Sequence, residues 1–354
     1  MPRDDQDVAE PDRFEGAPHP REQFALFGHR EGEEAFLDGL RSGRLHHAWL
    51  IGGAQGIGKA TLAYRVARTV LDPRKSNDRA ISSLDVPADS HVARQVVALS
   101  HPTLSVLRRA PATDKKGPSA TIPVDAVRRA LGMFGSTAAD GGYRVCIVDS
   151  AEDLTISSAN ALLKVIEEPP PRSLFLIVSH APQRVLPTIR SRCRRLLLRP
   201  LEERDIKGAI VSLGSPWTDI PQDVVDQALR YGEGSVRRTL ELLDADKVAF
   251  IDQVTRLLNG LPKTDTKQVL ALAEALARRD ADDSYELTLE TVQRWVSERL
   301  HERAGLGASR LAPLVEVCEK IDRSAREIDV FNLDRRPFIL TMFDDLADAV
   351  RRAA

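Results

Sequence analysis

The 354-residue sequence predicts an α/β fold: a phosphate-loop module built on a parallel sheet, then a small helical lid and an all-helical C-terminal domain. Three observations carry that reading. A glycine-rich run, Gly53-Ala-Gln-Gly56-Ile-Gly58-Lys59, follows one apolar segment and opens a helical pattern. Short, continuously apolar runs alternate with helical stripes between residues 47 and 179, as strands buried on both faces do. Beyond about Pro200 only helical periodicity continues.

In chain order, residues 1–20 are acidic and Pro-rich and read as a flexible arm with little to pack. The module is expected over 21–200. It opens with a helix at 31–42 and a strand at 47–51. Residues 59–71 carry Ala63, Val66, Ala67 and Val70 at helical spacing. Residues 72–120, rich in Pro, Ser, Asp and Lys, read as an insertion with loops at both ends and a short apolar run at 103–107. A helix at 124–134 and an apolar strand, Arg144–Asp149, follow. The helix at 157–168 is stopped by Pro169, Pro170 and Pro171, and a second buried strand runs over 174–179. The lid is placed at 201–246, with a Gly-rich break at 231–235, and the helical domain at 247–354.

Composition narrows the function. Fifty basic residues against 52 acidic ones leave a net charge of −2, so nothing overall advertises nucleic-acid binding. No apolar run approaches the roughly 20 residues that span a bilayer, and the N-terminus has no apolar core, so no membrane association is expected. Three scattered cysteines suit a reducing cytoplasm. Only ten of the basic residues are lysine, so an isolated lysine is more informative than an isolated arginine.

The 53–59 run fits G-x-x-x-x-G-K between a strand and a helix. Gly53, Gly56 and Gly58 let backbone N–H groups face a phosphate at a helix N-terminus, and Lys59 reaches the β- and γ-phosphates. An ordinary glycine turn is the competing reading. The motif next calls for a Ser or Thr to hold Mg²⁺, but the chain has Ala60, and Thr61, one step on, turns about 100° away. Asp149 ends an apolar strand, where a carboxylate can serve Mg²⁺. A hydrolase would place Glu next, to polarise water. The chain has Ser150, and Glu152 is a poor geometric substitute. Nucleotide binding is thus expected to survive and turnover to be weak or absent. Whether ATP, ADP or nothing occupies the loop stays open, and Mg²⁺ ligation is expected to be impaired.

Asn160-Ala-Leu-Leu-Lys164-Val-Ile-Glu167-Glu-Pro-Pro170, then Leu174-Phe-Leu-Ile-Val178, then Pro187-Thr-Ile-Arg-Ser-Arg192-Cys193 resemble the clamp-loader branch of the AAA+ ATPases. Gly43-Arg-Leu-His-His47-Ala-Trp-Leu50, His101-Pro-Thr-Leu and Ile122-Pro-Val-Asp125-Ala-Val-Arg128 fit as well. Within that branch the chain looks most like the delta-prime family of bacterial DNA polymerase III subunits. The likeness is strong over about 24–200 and weak in the C-terminal helices.

The resemblance implies an AAA+ module, a lid and a collar in a pentameric ring with tau/gamma-type motor subunits and a delta-type subunit. Such a ring loads a sliding clamp on primed DNA. It implies that Arg192 is an arginine finger completing a neighbour's ATP site in trans. Ser179 would hold the sensor-1 position, and Arg237, in Gly234-Ser-Val-Arg237, the sensor-2 position. The six arginines between 184 and 199 leave a solvated basic face or a DNA-phosphate patch as competing readings of Arg192. Relatives that bind zinc carry four cysteines after the phosphate-loop helix; residues 72–120 here have none, so no zinc is expected. An active ATPase, either a clamp-loader motor subunit or a helicase loader, is the alternative. No carboxylate pair suits a polymerase active site.

Overall fold

The computed structural model describes residues 10, 12–111, 119–135, 141–278 and 280–353. Two compact units emerge, Met1–Glu241 and Leu242–Ala354. The segment expected as a separate lid therefore lies with the sheet-containing unit as far as Glu241.

The first unit opens with α1 (Arg30–Arg41), β1 (Ala48–Gly52) and α2 (Lys59–Leu71). α3 (Pro73–Ser76), α4 (His91–Val97), β2 (Leu104–Arg108) and α5 (Val124–Leu131) come next, and then β3 (Arg144–Asp149), α6 (Ile156–Glu167), β4 (Ser173–Ser179), α7 (Pro187–Arg190) and β5 (Arg194–Leu197). α8 (Glu203–Leu213), α9 (Gln222–Tyr231) and α10 (Val236–Glu241) close the unit. The five strands form one parallel sheet in the order β2-β3-β4-β1-β5, the parallel α/β module the sequence predicts.

The apolar strands follow from burial on both faces. Trp49, Ile51, Val145, Ile147, Leu174 and Leu176 pack against Phe36 and Leu40 of α1 and Val66 and Val70 of α2. Alternate residues of the same strands, Leu50, Cys146, Val148, Phe175 and Ile177, face Val127 of α5, Leu162 and Ile166 of α6, and Ile189 of α7. Parallel strands need such crossovers, and the crossover from β1 is the phosphate loop and α2.

Four expectations need correction. Residues 10 and 12–20 are not a free arm; the rest of the expected arm lies outside the described residues. Glu10 bridges Arg21 and Arg108 at 2.9 and 2.7 Å, Asp12 meets Arg108 at 3.0 Å, and His19 is wholly buried. The segment has few apolar residues and packs instead through matched charges. The 72–120 stretch, expected as an insertion with loops at both ends, supplies core residues and a strand of the sheet, although 112–118 lie outside the described residues. Ile81, Leu84, Ala93 and Val96 are buried, and the apolar run at its centre is the sheet strand β2, paired with β3. Arg194–Leu197, read only as part of an arginine run, is the edge strand β5, with the Arg194 guanidinium over the Trp49 ring. Charged side chains suit an exposed sheet edge. The 124–134 helix also ends early, its last turn tightening to a 3₁₀ turn at Gly132–Gly135.

The second unit is helical: α11 (Ala245–Asn259), α12 (Thr266–Leu276), α13 (Asp282–Glu302), α14 (Ala308–Phe331) and α15 (Arg335–Ala353). Leu258, Leu272, Trp295, Ile321 and Phe343 meet in its core. The Trp295 indole N–H donates to Asn259 Oδ1 at 2.9 Å, satisfying the one polar group of that ring. No helix among the described residues is long and apolar enough to cross a membrane.

Candidate functional site

β1 delivers the chain to the phosphate loop, and α2 begins at Lys59. A cavity of about 340 Å³ opens over this loop. Gln55 to Thr61 line one side, Asp149, Glu152 and His180 lie at the strand ends, and Phe14, Pro18 and Pro20 form part of an apolar wall. Gly56 (φ +75°) is required here, because a Cβ would fall 2.4 Å from both Arg237 Cβ and Ser235 Oγ. That proximity lets Ser235 Oγ donate to the Gln55 carbonyl at 2.8 Å and Val236 N–H to the Gly56 carbonyl at 3.1 Å. The lid helix α10 is thereby tied to the loop.

Lys59 is 3 % exposed. Its ammonium donates to the Gly53 carbonyl at 2.8 Å and to the Ala54 carbonyl. Burial pulls its pKa down to about 8, opposed by the charges of Asp149 and Glu152, so it remains mostly cationic at neutral pH. Burial, and then the charge of Asp12, push the Asp149 carboxyl up to about 7. His180 is pulled down to about 4, first by burial and then by Lys59, and is neutral at pH 7.

Ala60 has no hydroxyl to offer. Thr61, expected to face away, lines the same cavity. Ser179 is fully buried at the end of β4, and its hydroxyl donates to Glu152 Oε1; the same oxygen accepts the Ala181 N–H at 2.7 Å. Sequence reasoning set Glu152 aside for its spacing from Asp149. It missed that Glu152 engages the Ser179 hydroxyl, and no local pattern signals a contact 27 residues apart. Burial raises the Glu152 carboxyl, but these two hydrogen bonds help bring it below its usual value. The second oxygen, Oε2, is buried without a hydrogen-bond partner. Arg237 lines the cavity, with its Nε donating to Glu241 at 3.0 Å.

The cradle therefore suits a phosphate chain, since a basic loop, a helix N-terminus and a cavity coincide. For Mg²⁺ the cavity offers Asp149 and Thr61 but, with Ala60 directly after Lys59, no hydroxyl at position 60. Burial pushes the Asp149 carboxyl up to about 7, and the Ser179 hydroxyl donates to Glu152. Among the described residues no group of three His, Cys, Asp or Glu could hold a metal ion.

Arg192 lies elsewhere. It is not among the residues lining the cavity. Ile189 and Cys193 are buried on either side of it, while its own side chain is 40 % exposed. Nη2 pairs with Glu167 Oε1 at 2.8 Å, and Nη1 donates to the Thr188 carbonyl at 3.0 Å.

A family model described as DNA polymerase III, delta subunit, matches residues 28–202. The DNA polymerase III subunit delta' of Escherichia coli K12 is 33% identical over 239 residues, 67% of this chain and 67% of that protein. The chain belongs to the delta-prime family of bacterial DNA polymerase III subunits. A second delta-prime relative, from Yersinia pestis, is 36% identical over 152 residues, 43% of this chain and 41% of its own. The DNA polymerase III subunit gamma/tau of Mycobacterium bovis is 30% identical over 253 residues, 68% of this chain and 40% of its own. The stretch matched by the family model holds the phosphate loop, Asp149, Ser179 and Arg192; Arg237 lies beyond it.

Proposed function

We propose that this chain is a non-motor subunit of a DNA polymerase III sliding-clamp loader. It joins tau/gamma-type motor subunits and a delta-type subunit in a pentameric ring in the cytoplasm, and that ring acts on the sliding clamp and primed DNA. In this reading it supplies Arg192 in trans to a neighbouring ATPase subunit and binds ATP or ADP in its own loop without efficient turnover.

The observation that carries the reading is a contrast. The chain's own cavity lacks the Mg²⁺ hydroxyl at Ala60 and the water-polarising carboxylate at Ser150, while the Arg192 guanidinium stands exposed outside it. A planar guanidinium neutralises charge that develops on a transferring γ-phosphate, and a finger in trans contributes roughly 10³–10⁵ in rate.

The test is Arg192→Ala in the reconstituted complex. Its clamp- and DNA-stimulated ATPase is expected to fall sharply; an unchanged rate overturns the finger. The intact loop with Lys59 favours the second reading, an active ATPase. That reading requires the isolated chain to hydrolyse ATP at a motor's rate and to lose it on Lys59→Ala.

A further inference from the structure

We propose that Glu167 is a positioning residue for Arg192, clamping its guanidinium in the direction a neighbour's triphosphate must approach. The inference rests on the trans-finger reading above and concerns a residue that this reading leaves without a role.

Glu167 is the last residue of α6, and Arg192 follows α7. The two meet because both helix ends are anchored. Ile166 is buried under the sheet, and its carbonyl lies 3.1 Å from His47 Nε2 at the start of β1. Three prolines forbid α6 from continuing, so Glu167 sits at a fixed point. On the other side, Ile189 and Cys193 bury the chain around Arg192. The guanidinium is held at both Nη atoms, by the Glu167 carboxylate at 2.8 Å and by the Thr188 carbonyl at 3.0 Å. An exposed ion pair contributes little to stability, so a stability role does not account for this arrangement. Orientation is a different matter. A free arginine loses considerable rotamer freedom when it must present one geometry to a phosphate, and a misplaced catalytic group costs rate steeply. The clamp orders the side chain before the neighbour arrives and leaves it 40 % exposed to meet that neighbour.

The experiment uses the reconstituted clamp-loader complex, with assembly of each variant checked by size-exclusion chromatography. Wild type, R192A, E167A, E167Q and the R192A/E167A double variant are compared for kcat and for the KM of ATP under clamp and primed-DNA stimulation. E167A is expected to lower kcat about three- to tenfold with little change in KM. E167Q, which keeps an acceptor for the guanidinium, should recover most of the loss. The double variant should match R192A, because Glu167 acts only through Arg192. If R192A is impaired but E167A turns over at or above the wild-type rate, the proposal is overturned. It is equally overturned if the two losses multiply in the double variant. If R192A itself changes nothing, the finger reading fails first, and this proposal with it. Should E167A not assemble, E167D, which withdraws the carboxylate by one methylene, is read in its place; an undiminished kcat there overturns the proposal.

Discussion

The phosphate loop and the Arg192 corner belong to one unit, yet they are built in opposite ways. At the loop the framework is intact and the reactive groups are missing or engaged. Lys59 is folded onto its own loop's carbonyls, burial pushes the Asp149 carboxyl up to about 7, and the Ser179 hydroxyl is held by Glu152. At the corner, outside that cavity, one guanidinium is held by Glu167 and the Thr188 carbonyl and stays 40 % exposed. On the proposed reading the difference teaches that a binding cradle and a catalytic contribution are separable: backbone and glycines make the first, single side chains make the second.

The sharpest way to break the comparison is Arg192→Ala in the assembled complex, which is expected to cut stimulated ATPase at least about tenfold, measured by steady-state phosphate release. A loss on that scale from a residue so far outside its own cavity would place the chemistry in a neighbour.

Next in size is Gly56→Val. A side chain there meets Arg237 and Ser235 at a positive φ, so the lid helix must withdraw from the loop. The expected cost is about 2–4 kcal/mol in urea unfolding of the first unit. Near-wild-type stability would mean that the lid is not tied to the loop as described.

A smaller effect concerns the N-terminal segment. Burial alone would raise the Glu10 carboxyl, but hydrogen bonds and charges from Arg21 and Arg108 hold it at about 2. A depressed carboxylate stabilises the fold above its unfolded pKa, and that stability is lost as pH falls through the folded value. Discounted for solvent screening, Glu10→Gln should therefore cost about 1–2 kcal/mol at pH 7. The gap to wild type should shrink between pH 4.5 and about 2, as pH-dependent unfolding would record. The smallest expected change is Ser179→Ala. Nucleotide affinity of the isolated chain, measured by calorimetry, should move less than about threefold, because the hydroxyl already serves Glu152.

Much was readable along the chain because it was local. A strand, six glycine-rich residues and a lysine opening a helix make a phosphate loop wherever they occur, since the backbone conformation is encoded within eight positions. β3 and β4 were equally plain, as strands buried on both faces have no polar side to confuse the pattern. The edge strands were harder to read. β2 shows as a short apolar run but is half-buried except at Leu107, and β5 is mostly exposed and arginine-rich, so neither reads as a fully buried strand. Residues 12–20 were misread because their packing uses partners at Arg21 and Arg108, and Arg108 is nearly a hundred residues away.

By itself, then, the order of residues determined the parallel-sheet module, the cradle, the gaps at Ala60 and Ser150, and the Ser191-Arg192-Cys193 motif. Only the folded chain decided that Glu152 would occupy the Ser179 hydroxyl, that Thr61 would face the cavity, and that Glu167 would stand beside Arg192. The physical reason is range. Backbone conformation answers to neighbours in sequence, whereas a side chain's partner is set by where distant elements end, and those endpoints exist only once the sheet has been assembled.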